Sequence, residues 1–229
     1  MRYLTKEWAT LGRLTRNYFH LEVDEDAKFK CDKYYRKLYQ IEYEKMYRTE
    51  GWSFETLDKS LAFRLEIIKS KIPKRILKDV ADLRVLVLGK VTKEIKNKIS
   101  LFCDNNSLIH KNTLLQFNEY YQKMSPHERN IYLNLNDFKG RGINEMLIEE
   151  ERFTLKFVKS MNDYKYSSIE FVNFEIIKQD CDLIGFIWDL HEVYFEEDQF
   201  ELHLLLWNLG IKDITFYELT IKADRLNIS

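Results

Sequence analysis

The stretch from residue 188 to residue 207, WDLHEVYFEEDQFELHLLLW, contains two histidines, six carboxylates and two tryptophans in twenty positions. Imidazoles and carboxylates this close in sequence are the usual components of a zinc site or of a general acid–base pair. A β-hairpin with one apolar and one polar face is the competing interpretation. The positions of these side chains along the strands decide between a zinc site, an acid–base pair and a two-faced hairpin.

A hairpin with its turn centred on Glu197-Asp198 separates the two histidines. It places His191 opposite Leu204, on the apolar face, and Glu192 opposite His203, on the polar face, because side chains alternate along a strand. Imidazoles on opposite faces cannot bind one metal ion, so no metal site is predicted. A turn of odd length would bring them together, but it would break the match between the apolar rows at about 1.5–3 kcal/mol per buried side chain.

The polar face of this hairpin is predicted to be exposed. Tryptophan, tyrosine, glutamate and histidine suit the anchors and rims of protein interfaces. Glu192 and His203 are also the candidates for an acid–base pair, although an exposed cross-strand charge pair, contributing about 0.2–1 kcal/mol, is the more common meaning of such a contact. Trp207 lies on the same predicted face. The candidate partner-binding residues are Trp188, Glu192, Tyr194, Glu201 and His203.

Enzyme motifs are missing from the sequence. It contains no GxSxG nucleophile motif and no glycine-rich phosphate loop. We therefore predict no catalytic residue and no cofactor.

A second candidate surface is basic. Residues 69–98 hold ten Lys and Arg against three Asp and Glu, and tyrosines recur every fourth residue from Tyr35 to Tyr47. Cations interleaved with aromatic rings can hold phosphates and stack bases. The overall pI near 6.5 is far below the value of about 9 typical of nucleic-acid-binding domains, and tyrosines beside an apolar stripe usually seal a helix–helix contact. The candidate basic patch comprises Lys69, Lys71, Lys74, Arg75, Lys78, Lys90, Lys93, Lys96 and Lys98.

Composition places the chain among soluble globular proteins, with 45% hydrophobic and 32% charged residues in a length of 229. Cys31, Cys103 and Cys181 form no CxxC motif and are odd in number, so we expect buried thiols rather than disulfides or zinc ligands. Arg2, Lys6 and Glu7 argue against a secretory signal, and no apolar run reaches the roughly 18 residues of a membrane span. A cytoplasmic location is expected.

The net charge of −1 hides two halves of opposite sign. Residues 1–125 contain 25 Lys and Arg against 17 Asp and Glu, whereas residues 126–229 contain 11 against 20. We expect these halves to be two domains, a helical one over 1–125 and an antiparallel β one over 126–229.

The first half has the capping residues and the apolar spacing of helices. Helix starts are predicted at Thr5, at Asp24 or Asp26, at Ser53 and at Thr92, with a stop at Gly51 and a break at Gly89. Cys31, Tyr34, Leu38 and Ile41 are the predicted core stripe of the long helix before Gly51. The stretch from about 92 to 124 is one helix or two, because DNNS at 104–107 interrupts it.

From Pro126 the apolar period becomes two. Strands are predicted on both sides of Glu149–Glu151, in SSIEFVNFEII, at 184–195 and 200–207, and in DITFYELTIKA. They are expected to pair antiparallel because no helix separates them. The fold class is therefore α+β: an N-terminal all-helical half followed by a C-terminal antiparallel β-sheet half.

Three segments in order, MRYLTKEW, DLRVLVLG and FIWDLHEVYFEEDQFELHLLL, resemble a bacterial family known as domain of unknown function 4085. The likeness spans nearly the whole chain, and it implies no established activity, cofactor or substrate. Family members carry Phe-His-Asp in the first β segment, where this chain has Phe138-Lys139-Gly140. That difference removes the acid–base pair that an enzymatic interpretation would need.

Three functions are therefore carried forward. The first is a non-enzymatic protein-binding module of the adaptor or immunity type. The second is a nucleic-acid-binding protein that uses residues 69–98. The third is a hydrolase or lyase that uses Glu192 and His203, which would require a concave pocket beside that pair.

Overall fold

A computed structural model describes residues 1–14, 18–158, 165–196, 199–209 and 214–229. The fold is α+β, as predicted, with the helices mostly in the N-terminal half and a six-stranded antiparallel sheet in the C-terminal half. The chain divides into two compact units, which we call the sheet unit (Met1–Leu11 with His110–Ser229) and the helical unit (Gly12–Ile109). This division differs from the predicted boundary at residue 125, because residues 1–11 and the second half of a long helix pack with the sheet.

Seven α-helices occur in the described part of the chain. They are α1 (Lys6–Arg13), α2 (Asp32–Glu50), α3 (Phe54–Lys71), α4 (Lys74–Leu77), α5 (Leu83–Val87), α6 (Lys93–Lys123) and α7 (Pro126–Leu135). Two short 3-10 helices cover Glu25–Lys28 and Asn136–Phe138.

Three predicted helix starts are confirmed. The hydroxyls of Thr5, Ser53 and Thr92 each accept a hydrogen bond from the backbone N–H three residues later, at 3.2–3.3 Å. These bonds satisfy donors that the first turn of a helix cannot satisfy itself.

The helix expected between Asp24 and Gly51 starts later than predicted. Asp24 caps the 3-10 helix, and α2 begins at Asp32 and ends before Gly51, whose φ of +68° favours glycine. None of the residues of α2 is buried, and Ile41 of its predicted core stripe is 54% exposed. The prediction of a buried stripe on α2 is therefore wrong.

The predicted stretch from about 92 to 124 is one continuous helix, α6 (Lys93–Lys123), which passes through 104–107 without a break. The hydroxyl of Ser107 bonds to the carbonyl of Cys103 at 3.0 Å, so this polar residue is accommodated inside the helix. Cys103 is buried as expected, Cys181 is half-buried and Cys31 is exposed.

The period-two interpretation is wrong for residues 126–135, which form α7. Pro126 occupies its first turn, and Ser125 and Glu128 form a capping box in which each side chain bonds to the backbone N–H of the other residue. The sheet consequently begins only at Ile143.

The main sheet is built from neighbouring antiparallel strands in the order β3-β4-β5-β8-β7-β6. Its strands are β3 (Ile143–Ile148), β4 (Arg152–Phe157), β5 (Ser168–Gln179), β6 (Ile187–Glu196), β7 (Gln199–Leu209) and β8 (Ile214–Ile228). The helical unit also contains a pair of two-residue parallel strands, β1 (Glu22–Val23) and β2 (Lys90–Val91), which the sequence did not predict.

Each unit has its own apolar core. One face of the sheet is covered by a cluster that we call the main core, which includes Phe138, Trp188 and Leu204. Leu4, Trp8 and Leu205 belong to a cluster on the other face. The core of the helical unit gathers residues such as Ile68, Leu86 and Cys103. No helix of the described residues is long and apolar enough to cross a membrane.

Candidate functional site

The β6–β7 hairpin has the predicted register. Phe195 pairs with Phe200, His191 with Leu204 and Glu192 with His203. The two histidines therefore lie on opposite faces of the sheet, as predicted. The predicted centre of the turn, Glu197-Asp198, lies outside the described residues.

A bulge changes the position of Trp188. The register shifts between Trp188 and Leu190, so that Trp188 pairs with Leu206 and Leu190 with Leu205. One extra residue moves every earlier side chain of the strand to the other face. Trp188 is consequently in the main core, fully buried, and the prediction that it shares a face with Glu192 is wrong.

His191 is a buried neutral histidine. The indole N–H of Trp188 lies 3.3 Å from His191 Nδ1, and because an indole nitrogen only donates, Nδ1 accepts. The proton is then on Nε2, which donates to the carbonyl of Tyr132 at 3.2 Å. Burial lowers the pKa of His191 to about 4. His191 thus joins β6 to α7 and has no lone pair left to serve as a base.

Glu192 is fully buried, and its carboxylate is surrounded by donors. One oxygen accepts the backbone N–H of Arg2 at 2.8 Å together with the hydroxyl of Tyr194, and the other accepts the backbone N–H groups of Tyr3, at 2.9 Å, and Leu4. Four donors occupy the acceptor sites of a carboxylate. Glu192 therefore fixes the segment before α1 onto the sheet.

His203 is bound on both ring nitrogens. Nδ1 accepts from the amino group of Met1 and lies 3.2 Å from the hydroxyl of Thr220, and Nε2 donates to Glu201. Burial, followed by the nearby amino group, lowers the pKa of His203, although Glu201 opposes this shift. Both lone-pair and proton positions of the ring are taken by neighbouring groups.

Two more carboxylates hold the residues that follow. Glu218 accepts the backbone N–H of Lys6 at 3.1 Å and the ammonium group of Lys178, and Asp180 accepts the backbone N–H of Glu218 at 3.1 Å and the Lys6 ammonium group at 3.2 Å. Burial tends to raise the pKa of both carboxyls, but these hydrogen bonds outweigh it and lower both values.

We refer to Asp180, Glu192, His203 and Glu218 with residues Met1–Lys6 as the segment clamp. It corrects the prediction of an exposed polar face. Glu192, Tyr194 and His203 are buried and Glu201 is half-buried, because residues 1–4 and aromatic residues of α6 cover this side of β6 and β7. An apolar cluster around Leu4 and Leu205 completes the cover.

Acid–base chemistry at Glu192 and His203 has little geometric support. No hydrogen bond joins the two side chains within the described chain, since each is occupied by the partners given above. Two cavities lie in the helical unit, and neither is lined by Glu192 or His203. Within the described ranges, no three His, Cys, Asp or Glu side chains are grouped to hold a metal ion.

The basic segment lies in the helical unit and is partly neutralised. Lys69 pairs with Glu66 at 3.7 Å, Lys90 with Glu22, and Lys98 with both Asp79 and Glu94. The other six members of the patch form no ion pair with a described residue: Lys71, Lys74, Arg75, Lys78, Lys93 and Lys96.

The tyrosines of α2 are used within the helical unit. Tyr43 stacks on Phe54 with 3.6 Å between ring centroids, the Tyr39 hydroxyl donates to Asp58 at 2.7 Å, and Tyr35 lies against the guanidinium of Arg84. These contacts join α2 to α3 and α5. They leave fewer rings open for base stacking than the sequence suggested.

Phe138-Lys139-Gly140 lies just before the sheet, at the end of the second 3-10 helix. Phe138 is fully buried in the main core, and Gly140 has a φ of +80° in the turn that leads to β3. This turn presents no acid–base pair. No protein-family model, no curated protein sequence and no solved structure matches the chain.

Proposed function

We propose that the protein is a non-enzymatic recognition module, of the adaptor or immunity type, that binds another protein through a row of leucines on α6. The observation that carries this proposal is the exposure of Leu101 and Leu108, at 62% and 56%, on the part of α6 that belongs to the helical unit. They lie seven residues apart on one helix, which is the repeat by which one helix packs on another. Covering one leucine side chain fully contributes about 1.5–3 kcal/mol.

The partner that fits this row is an amphipathic helix with apolar residues at the same spacing. Asn105 is exposed and precedes Leu108 by three residues, which is the spacing of positions a and d in a coiled coil. Asparagine at position a favours a two-helix pairing with one register over larger bundles. We infer a single helix as the docked element.

The occupied donors and acceptors of the segment clamp agree with a protein that does no acid–base chemistry there. The same holds for the resemblance to domain of unknown function 4085, a family without an established activity, and membership in it stays a prediction. A cytoplasmic location stays part of this proposal.

Affinity purification from the native host tests the proposal. The double variant Leu101→Glu/Leu108→Glu is compared with the wild type and with Leu133→Glu, which changes an equally exposed leucine on α7. We expect a stoichiometric partner that the wild type and Leu133→Glu retain and the double variant loses. A partner retained equally by all three proteins would contradict the role of the row. Sedimentation analysis of the purified protein is the second readout, since self-association abolished by the double variant would assign the row to a second copy instead.

Nucleic-acid binding is the second candidate, and the unpaired cations in α4 and at its C-terminal cap favour it. Lys74, Arg75 and Lys78 are exposed and adjacent, without an ion pair among the described residues. On heparin, the wild type should then elute at a salt concentration that falls when Lys74 and Lys78 are changed to Glu. Reversing Lys93 and Lys96 tests the remaining part of the segment. Elution that is insensitive to both pairs of substitutions would dismiss this function.

A further inference from the structure

The helical unit contains a cavity of about 300 Å³ between α2, α3 and the two short strands. Leu38, Ile41, Glu42 and Lys45 line it from α2, Arg64 reaches it from α3, and Gly89 and Lys90 close it at β2. This volume lies at the lower end of the range for small-molecule sites, about 300–1,000 Å³. Every residue that lines it belongs to the helical unit.

Arg64 is a half-buried cation, and the carboxylate of Glu42, which also lines the cavity, attracts it without forming a direct ion pair. One terminal nitrogen donates to the backbone carbonyl of Phe19 at 2.7 Å, and no carboxylate of a described residue forms an ion pair with it. The other nearby cations are compensated, since Lys90 pairs with Glu22 and Lys45 with Glu42. Burial lowers the pKa of Arg64, which shows the same cost of desolvation. A buried charge of this kind is stabilised by a ligand of opposite charge.

The backbone around Arg64 has an unusual conformation. His20 has a φ of +48°, and Gly89 has a φ of +81°. A Cβ atom at position 89 would lie 2.9 Å from the carbonyl oxygen of His20, so only glycine fits there. Non-glycine residues in this region of φ are strained and concentrate at functional sites. The rim of the cavity thus combines a required glycine with a strained histidine backbone.

The wall on α2 combines two apolar side chains with the Glu42–Lys45 ion pair. Leu38 and Ile41 lie three residues apart on α2, a helix without a buried residue, and Ile41 is 54% exposed. The sequence pattern marked this stripe for a core. A ligand with an aliphatic part would cover both side chains and gain free energy in proportion to the apolar area removed from water.

We propose that this cavity binds a small aliphatic monocarboxylate, with its carboxylate on Arg64 and its chain against Leu38 and Ile41. The planar guanidinium can present two parallel N–H groups to a carboxylate, which lysine cannot. This site is independent of the leucine row of α6 and does not rest on the function proposed above.

Isothermal titration calorimetry with sodium hexanoate tests the charge. Arg64→Leu should weaken hexanoate binding at least about tenfold, as expected for the loss of a charge-assisted hydrogen-bonded pair. Arg75→Leu is the matched control, since it removes the same side chain from an exposed site in the same unit, and it should leave affinity unchanged. Equal affinities for the two variants would overturn the proposal, as would a wild type that does not bind hexanoate. Circular dichroism shows whether Arg64→Leu remains folded.

A second variant keeps the proposal testable if Arg64→Leu does not fold. Ile41→Ser changes an exposed side chain, so the fold should survive, and hexanoate affinity should fall about threefold or more while acetate affinity stays constant. The wild type should also prefer hexanoate to acetate and should not bind hexylamine. Equal binding of acetate and hexanoate, or any binding of hexylamine, would overturn the assignment of an aliphatic carboxylate.

Discussion

Charged side chains are used differently in the sheet unit and in the helical unit. In the sheet unit, the carboxylates of Glu192 and Glu218 are buried and accept backbone N–H groups. In the helical unit, charges such as Lys98 and Lys69 pair with other side chains at the surface. Residue type alone does not distinguish a carboxylate that binds backbone N–H groups from a charge in a surface ion pair. Burial distinguishes them, because a buried carboxylate needs a hydrogen-bond donor at each acceptor site, whereas a surface charge can exchange its partner for water.

The largest expected effect is on the segment clamp. Glu192→Ala leaves three backbone N–H groups and a hydroxyl without their acceptor, which should lower the free energy of unfolding by about 4 kcal/mol. Urea denaturation measures it. Glu196→Ala is the matched control on the same strand: its pair with Arg2 is 3.9 Å long and exposed, so we expect less than about 0.5 kcal/mol. Similar decreases in the free energy of unfolding for the two variants would contradict the difference between buried and exposed carboxylates.

The next effect is a pH dependence carried by His191. Its pKa is about 4 in the folded chain and about 6.5 when unfolded, so the unfolded state binds the extra proton between these values. The stability that His191 contributes is present above pH 6.5 and is lost as the pH falls toward 4. Between pH 7 and pH 5 this loss is about 2 kcal/mol.

His191→Gln checks the assignment. The variant should show a flatter dependence of unfolding free energy on pH between 7 and 5, whatever its absolute stability. A slope equal to that of the wild type would mean that another group is responsible.

A smaller effect is expected from a buried carboxylate of the helical unit. Asp82 is buried, caps α5 through the backbone N–H of Arg84 at 3.0 Å and binds the Arg84 guanidinium at 2.7 Å. These hydrogen bonds lower the pKa of Asp82. Asp82→Ala should lower the free energy of unfolding by about 1–2 kcal/mol, as measured by thermal or urea denaturation. Asp79→Ala, at an exposed acid nearby, should cost clearly less.

The smallest effect should come from Lys98→Ala. Lys98 binds Asp79 at 2.7 Å and Glu94 at 2.6 Å, but all three side chains are exposed to water and to salt. Its contribution should vanish when unfolding is repeated in about 0.5 M sodium chloride, whereas that of Glu192 should persist. If Lys98→Ala lowers the free energy of unfolding equally at low and high salt, the surface ion pairs of the helical unit behave as the buried contacts of Glu192 do.

Local signals predicted local structure well. The caps Thr5, Ser53 and Thr92 appeared where expected, and the alternation of apolar residues gave the register that separates His191 from His203. The α7 helix was missed although its capping box, Ser-Pro-His-Glu at 125–128, is visible in the sequence. The alternation of apolar residues after this cap favours a strand instead.

The site could not be predicted in the same way. Alternation tells which side chains share a face of a sheet, but not what covers that face, and the cover here comes from residues about 190 positions away. One signal was present: Leu204, Leu205 and Leu206 are consecutive, and strands buried on both faces have such continuous apolar runs. The bulge at Trp188–Leu190 has no comparable signal, because Asp189 is compatible with either face.

The segment clamp also has a consequence for the order of assembly. Residues 2–6 leave the ribosome long before their partners Asp180, Glu192 and Glu218, which are 174 to 212 positions further along the chain. Contacts of such high sequence separation form slowly, because the entropy cost of closing a large loop comes before the contacts stabilise the fold. During synthesis the earliest part of the sheet unit must therefore wait for the latest, and a nascent chain halted before β8 would leave Lys6 without its Glu218 acceptor.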